Sequence, residues 1–158
     1  MNLLIDIGNK RIKWAASNQL AHQLKANGGG KSIGQFILTD CKEITSKLVD
    51  SWKKLEAPDS VWISSVVDNK INENLRQICL DLWNKDVYFV DSTMEFHGLR
   101  NNYQIPGELG VDRWLALTGA KALHGEVSLV VVDAGTAITV DYLSFNCLLY
   151  TSPSPRDA

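Results

Sequence analysis

Residues 1–17 show two hydrophobic patterns that predict two strands joined by a tight turn. An almost unbroken apolar run over 3–7 indicates a strand buried on both faces, and alternating apolar and polar positions over 11–17 indicate a half-exposed partner strand. Gly8 and Asn9 stand between them, and both residue types tolerate a positive φ. We therefore predict a β-hairpin whose turn leaves backbone N–H groups facing outward.

Helical and strand-like patterns alternate in the next part of the chain. Apolar residues recur every three to four positions after Asp40 and again after Asp68, which predicts two amphipathic helices with these aspartates near their N-termini. Short apolar runs over 61–67 and 87–90 predict strands, and a further strand is predicted over 20–25. Strands that alternate with helices favour an α/β architecture with parallel pairing at the crossovers.

Residues 129–142 repeat the opening design. The segment 91–107 that precedes them shows no period and predicts a polar loop, and 108–124 predicts a helix. The apolar run after this helix ends in Asp133-Ala134-Gly135-Thr136, much as the first run ends in Asp6-Ile7-Gly8-Asn9. Two copies of this pattern, an apolar strand that ends in Asp-x-Gly, indicate a duplicated fold, with a nucleotide phosphate chain held between two facing turns.

The sequence pattern alone allows two interpretations for each of two aspartates, Asp6 and Asp112. Asp6 interrupts an apolar strand, where a carboxylate is costly unless a cation or several donors meet it, and basic residues follow closely. This pattern fits either a phosphate-binding turn with an acid for a metal, or an ordinary turn with solvated basic side chains. Asp112 opens a predicted helix, where it either favours the positive end of the helix dipole or serves as a functional acid.

Composition narrows the class of protein. The net charge of −2 gives no basic excess for coating a nucleic acid. No run approaches the ~18 apolar residues of a membrane span and no signal peptide opens the chain, which predicts a soluble, cytoplasmic protein without nucleic-acid or membrane partners. The three cysteines lack C-x-x-C spacing, so we expect neither disulfides nor a zinc site.

The GGGKS segment at 28–32 resembles the end of a P-loop, the phosphate-binding motif G-x-x-x-x-G-K-[ST]. It lacks the first glycine of that motif, and we therefore reject a P-loop here.

Three segments of the chain resemble one known family, the type III pantothenate kinases, which belong to the acetate kinase, sugar kinase, Hsp70 and actin superfamily. The segments are DIGNKRIK at 6–13, NNYQIPGELGVDRW at 101–114 and DAGTAITVD at 133–141. The resemblance implies an α/β, ribonuclease H-like fold of the actin-like ATPase kind. It implies a first domain over 1–125 and the opening hairpin of a second domain over 126–143, and leaves 144–158 as an atypical tail that we expect to be disordered or non-native.

The resemblance also implies which residues form the site. One group contacts the phosphates of ATP from two sides: Asp6, Ile7, Gly8, Asn9, Lys10, Arg11, Ile12, Lys13 and, from the opposite turn, Thr136. A second group lines the pantothenate pocket: Tyr103, Gly110, Val111, Asp112 and Arg113.

The implied reaction is the ATP-dependent phosphorylation of pantothenate, the first step toward coenzyme A, by an enzyme that is a homodimer at full length. Asp112 is the expected general base for the primary hydroxyl, and Arg113 is the expected partner of the substrate carboxylate. Asp6 is expected near the Mg²⁺ that accompanies ATP, and Asp133 is the expected ligand of a monovalent cation, K⁺ or NH₄⁺.

Two features depart from the family pattern. Lys10 stands where the family has Thr or Ser, which exchanges a hydroxyl contact for a positive charge beside the phosphates. After Ser144 the family continues through a glycine-rich segment and the rest of a second domain, whereas here Pro153 and Pro155 oppose regular structure. We interpret this end as a truncated or misassembled reading frame, with a genuine short form and a disordered tail as the alternative.

Two other functions compete with pantothenate phosphorylation on the sequence alone. One is a kinase of the same superfamily for another small hydroxylated substrate, because phosphate-binding hairpins do not name the acceptor. The other is a nucleotide-binding or regulatory module without turnover.

Overall fold

The computed structural model describes residues 1–17, 32–37, 41–134, 138–146 and 149–151, which form a mixed α/β fold with ten strands and three α-helices. The chain divides into two compact units, Met1–Val90 and Asp91–Ala158. The strand predicted over 20–25 lies outside the described residues. Among the described residues, no helix is both long and apolar enough to cross a membrane.

The first unit is built on a five-stranded sheet with the order β3-β2-β1-β4-β5. Its strands are β1 Asn2–Ile7, β2 Arg11–Ser17, β3 Ser32–Ile37, β4 Ser60–Ser65 and β5 Tyr88–Phe89. The three strands β1 to β3 pair antiparallel, whereas β4 pairs parallel to β1 and to β5. The predicted hairpin and the parallel crossovers are therefore confirmed, and β3 is a strand that the periodicity did not predict.

Two helices make the crossovers of the first unit, as predicted. Helix α1 spans Cys41–Trp52 and helix α2 spans Asn69–Trp83. The carboxylate of Asp68 caps α2 by accepting hydrogen bonds from the backbone N–H groups of Lys70 and Ile71. Trp52 is fully buried, packs edge-to-face on Trp14 and stacks on Trp83, and these indoles join the helices to the sheet.

The prediction that β1 is buried on both faces is wrong. Leu3, Ile5 and Ile7 lie in the core, but Leu4 on the opposite face is 43% exposed. Trp62 of the neighbouring strand is equally exposed and stacks on Tyr88 with ring centroids 4.8 Å apart. Successive side chains of a strand point to opposite faces of the sheet. When other elements cover only one face, every second residue of an unbroken apolar run is therefore exposed.

The second unit joins a helix to a three-stranded antiparallel sheet with the order β10-β9-β8. Its elements are β6 Glu95–Phe96, β7 Leu99–Arg100, a 3₁₀ turn Pro106–Glu108, α3 Val111–His124, β8 Leu129–Ala134, β9 Ile138–Leu143 and β10 Leu149–Thr151. Trp114 and Leu117 of α3 share one buried cluster with Leu143 and Leu149. Because α3 packs with these strands, the compact units divide at Val90, earlier than the predicted domain boundary at residue 125.

Three local predictions in this unit need correction. The segment 91–107 contains the small β6-β7 hairpin, because His97 and Gly98 adopt the positive φ angles of 49° and 75° that a tight turn requires. Helix α3 begins at Val111 instead of residue 108, with Gly110 as its N-cap. The expectation of an unstructured end is wrong for Leu149–Thr151, which pairs with β9 and buries Leu149 completely. Residues 152–158 lie outside the described part.

The outer face of the β8-β9 hairpin is apolar and open. Directly paired residues on this face are Val130 with Tyr142 and Val132 with Val140, and Ile138 beside them is 71% exposed. A contiguous apolar patch of this kind promotes association between molecules.

We expect the purified 158-residue chain to show an apparent mass in light scattering that rises with concentration. We expect Val132→Lys together with Ile138→Lys to suppress that rise. A monomeric wild-type chain over the same concentrations would contradict this expectation.

Candidate functional site

The first hairpin closes without any left-handed residue. The N–H of Gly8 donates to the carbonyl oxygen of Arg11 at 3.0 Å, and neither Gly8 nor Asn9 has a positive φ, so that part of the prediction is wrong. A Cβ added to Gly8 would lie 3.8 Å from the nearest heavy atom, which is an ordinary contact. The turn itself therefore does not need glycine, and the absence of a side chain leaves its backbone open to a ligand.

Asp6 lies at the penultimate position of β1, opposite Lys13 on β2. Its Oδ2 is 3.2 Å from Lys13 Nζ, and the two side chains are 43% and 56% exposed. An ion pair this exposed stabilises the fold little, so both groups remain available to another partner. The side chains of Asn9, Lys10 and Arg11 are exposed around the same turn. Ile7 and Ile12 are fully buried in the core, so only their backbone can take part in binding.

The second hairpin repeats the placement of the acid. Asp133 is the penultimate residue of β8, opposite Thr139 on β9, and its side chain is exposed. Within the described part of the chain, no cation pairs with Asp133. Gly135 and Thr136 lie outside the described residues. The predicted repetition of strand, aspartate and returning strand is thus present in the backbone of both units.

Asp112 occupies the first turn of α3. Its side chain is exposed, and its Oδ1 accepts a hydrogen bond of 2.8 Å from the backbone N–H of Arg113. The carboxylate lies back over Gly110, where an added Cβ would stand 2.6 Å from Oδ1. This placement of the carboxylate therefore requires glycine at position 110. The requirement comes from the space that the carboxylate occupies and not from the backbone conformation of Gly110. Val111, predicted to line the pocket, has a buried side chain.

Arg113 has a protein carboxylate as its partner. Its Nε donates to Asp141 Oδ2 at 3.1 Å and its Nη2 donates to Asp141 Oδ1 at 2.6 Å. The two side chains are only 8% and 3% exposed. The hydrogen bonds to Asp141 raise the pKa of Arg113, burial lowers it, and Tyr103 adds a smaller contribution that raises it. Sequence reasoning gave Asp141 no role, although a carboxylate on the same strand face as Leu143 was a signal of a buried partner.

Asn101 shapes the loop that carries Tyr103. Its buried side chain donates to the carbonyl oxygen of Pro106 at 3.2 Å and accepts from the backbone N–H of Tyr103 at 3.1 Å. These two bonds tie the loop to the 3₁₀ turn that leads into α3. Sequence reasoning assigned no role to Asn101, but asparagine commonly bonds the backbone two residues later in turns.

The described residues contain no cluster of three or more His, Cys, Asp or Glu that could hold a metal ion by itself. Proteins usually bind Mg²⁺ through one or two carboxylates together with substrate phosphates, so a Mg²⁺ site does not require such a cluster. Asp6 and Asp133 each offer one exposed carboxylate of that kind. Burial raises the pKa of the Cys79 thiol to about 12, so this thiol stays protonated at neutral pH and is not a nucleophile.

A sequence model of the family described as type III pantothenate kinase matches residues 2–149. The chain is 37% identical over 142 residues to the type III pantothenate kinase of Dichelobacter nodosus, with 89% of this chain and 53% of the relative covered. It is 34% identical over 148 residues to that of Nitrosococcus oceani, with 91% and 52% covered. The chain thus spans about half the length of the curated relatives it matches.

Proposed function

Because the chain belongs to the type III pantothenate kinase family, we propose that its protein transfers the γ-phosphate of ATP to the primary hydroxyl of pantothenate, the first step toward coenzyme A. The observation that carries this proposal is the repeated hairpin, in which Asp6 and Asp133 each stand one residue before the end of a strand. Phosphoryl transfer depends mainly on alignment and on charge stabilisation of the transferred group. Two exposed carboxylates, each one residue before the end of a strand, supply groups suited to both tasks.

In the proposed site, the first hairpin binds the phosphate chain. The exposed ammonium and guanidinium groups of Lys10, Arg11 and Lys13 offset phosphate charge, and the open backbone at Gly8 and Asn9 offers N–H donors. Thr136 is also proposed to contact phosphate. Lys10 adds a positive charge where the family pattern has a hydroxyl, and we expect it to contact phosphate as a point charge.

Cations complete the proposed site. Asp6 would hold Mg²⁺ together with ATP, and Asp133 would hold a monovalent cation, K⁺ or NH₄⁺. When bound, these ions offset the negative charge of the phosphates. The Nζ of Lys13 lies 3.2 Å from the Asp6 carboxylate and so beside the same turn.

Asp112 is proposed to act as the general base. Its exposed carboxylate has one oxygen held by the backbone N–H of Arg113, which leaves the other oxygen to accept the proton of the pantothenate hydroxyl. Tyr103, Gly110 and Val111 are proposed to line the pantothenate pocket, with Val111 contributing through its backbone. Arg113 was expected to pair with the substrate carboxylate, and two of its N–H groups donate to Asp141.

We propose that the protein has the ribonuclease H-like, actin-like ATPase fold. The sheet order β3-β2-β1-β4-β5, with an antiparallel edge and parallel crossovers, supports this proposal. A cytoplasmic location and a homodimer at full length belong to the same proposal and follow from the family.

Gly8→Ala separates folding from phosphate binding. We expect the free energy of unfolding to stay unchanged or rise by about 0.4–1 kcal/mol, because an alanine is compatible with the backbone and with the space at this position. We expect ATP to bind about tenfold more weakly, because the methyl group covers the N–H groups of the turn. Urea unfolding and nucleotide titration measure the two effects, with Gly119→Ala in helix α3 as the control. Unchanged ATP affinity would remove Gly8 from the phosphate site.

The proposed function is tested by the choice of acceptor. Because the chain spans about half the length of its relatives, the assay uses the 158-residue chain and, beside it, residues 1–149 extended with the remaining part of a relative, which we call the extended protein. Each is supplied with γ-labelled ATP and with pantothenate, its carboxamide analogue or an unrelated small alcohol. We expect label to enter pantothenate. Label in a different alcohol would favour a related kinase, and ATP binding without any product would favour a regulatory module.

A further inference from the structure

We propose that Asp141 is a positioning residue that fixes the carboxylate of Asp112 by acting through Arg113. This inference rests on the proposed role of Asp112 as the general base. It starts from a contact that the proposed reaction does not use, the two hydrogen bonds from the Arg113 guanidinium to the carboxylate of Asp141.

Three consecutive links join Asp141 to Asp112. The carboxylate of Asp141 holds the Arg113 guanidinium through bonds of 3.1 Å and 2.6 Å. Through its Cα, the Arg113 side chain is joined to the backbone N–H that donates to Asp112 Oδ1 at 2.8 Å. Holding the guanidinium therefore limits how far the backbone at position 113, which carries the donor to Asp112, can move. Strand β9, which carries Asp141, and the first turn of α3 are connected at this point.

The geometry of the pair supports a role in orientation. A carboxylate that meets a guanidinium through two parallel N–H groups fixes the plane of the guanidinium as well as its distance. Tyr103 also interacts with this guanidinium and adds to the raised pKa of Arg113. A buried ion pair is weak evidence for stability, because desolvation offsets much of the attraction and a well-packed apolar pair often stabilises as well or better. Orientation is the property that an apolar pair cannot replace.

The same contacts give Arg113 a connecting role. Its charge is already balanced by Asp141, and its side chain is only 8% exposed. The expected contact with a substrate carboxylate would therefore use the remaining N–H donors of a guanidinium whose charge is already offset. Arg113 is thus the connecting member of a positioning set, with Asp141 at one end and Asp112 at the other.

The first experiment measures the first turn of α3 in the 158-residue chain and needs no turnover. In Asp141→Asn, we expect hydrogen exchange at the Trp114 amide, which donates to the Gly110 carbonyl at 3.0 Å, to be at least about tenfold faster. We expect the NMR resonance of the backbone amide at position 113 to shift, because its bond to Asp112 changes. Glu95→Gln is the control, since it removes an exposed carboxylate from the neighbourhood of Arg100 in the same unit. Equal exchange rates and an unmoved resonance would overturn the proposal.

A second variant separates positioning from stability and covers the case in which Asp141→Asn fails to fold. The double substitution Arg113→Met with Asp141→Leu replaces the buried pair by apolar side chains, and we expect its thermal midpoint to lie at or above that of the wild type. The resonance of the amide at position 113 in this variant is compared with that of Arg113→Met alone. Full return of the wild-type Trp114 exchange rate and of the amide environment would show a merely structural pair and overturn the proposal.

The kinetic experiment uses whichever length of the protein phosphorylates pantothenate. We expect the double variant to lose about 10- to 100-fold in kcat while its KM for pantothenate changes by less than about threefold, because the base is misplaced and substrate binding is kept. A large rise in KM with unchanged kcat would identify Arg113 as a substrate ligand instead. If the wild type transfers no phosphate to pantothenate, the proposed function fails, whereas the exchange and resonance data still decide whether Asp141 positions Asp112.

Discussion

Replacing Asp112 by asparagine is expected to lower kcat of the extended protein by about 10²- to 10⁴-fold, which is the usual contribution of a general base. Asparagine keeps the size and the acceptor oxygen that binds the Arg113 N–H, so the first turn of α3 is preserved. It cannot take up the proton of the substrate hydroxyl. The loss is therefore expected in the chemical step, with kcat and kcat/KM falling together.

Nucleotide binding is the internal control for Asp112→Asn. Asp6 and Lys13 of the first hairpin are unchanged in this variant, so we expect the Kd for ATP to stay within about threefold of the wild-type value. Steady-state kinetics and nucleotide titration on one preparation give both numbers. A variant with nearly wild-type kcat would exclude Asp112 as the base, and a variant that no longer binds ATP would point to a structural defect.

Adding one methyl group at Gly110 is expected to reproduce much of this loss. In Gly110→Ala, the new Cβ would stand 2.6 Å from Asp112 Oδ1, so the carboxylate must leave its position. A displacement of about 1 Å at a catalytic group can cost about 10²-fold in rate, and we expect kcat to fall by that order. The carboxylate is exposed and can rotate, so we expect little change in the free energy of unfolding.

Gly119→Ala is the matched control, because it makes the same substitution within the same helix. Nothing lies within 4 Å of a Cβ at Gly119, and alanine is favoured over glycine in a helix interior. We expect this variant to keep wild-type kcat and to gain about 0.5–1 kcal/mol in the free energy of unfolding. Equal kcat values for the Gly110 and Gly119 variants would show that the position of the Asp112 carboxylate does not limit the reaction.

The helices and strands were predictable wherever the spacing of apolar side chains and the residues at the element ends indicate the same structure. Helix α2 illustrates this: Asp68 caps it, and Leu75 and Ile78 bury its apolar face as the helical spacing predicts. The two hairpins were predictable for a similar reason, since each joins an apolar run to an alternating run. Local sequence carries this information because the contacts that it describes lie within a few residues.

Other features depend on contacts between distant residues and were not predictable. The exposure of Leu4 depends on which layer covers each sheet face, and the strand Leu149–Thr151 forms only because β9 offers it an edge. The bond between Arg113 and Asp141 joins positions 28 residues apart. In the candidate site, the motif matches therefore pointed to the two acids at the strand ends, while Asp141 as the partner of Arg113 emerged only from the structure.

The measurement that tests the central claim most directly is the turnover of pantothenate with ATP, followed by mass spectrometry of the product in wild type and Asp112→Asn side by side. Our account predicts that the extended protein forms phosphopantothenate at an ordinary enzymatic rate, above about 1 s⁻¹, and that the variant loses at least about 10² of that rate. ATP binding without phosphopantothenate in the wild type, or equal product formation by the two proteins, would contradict the account.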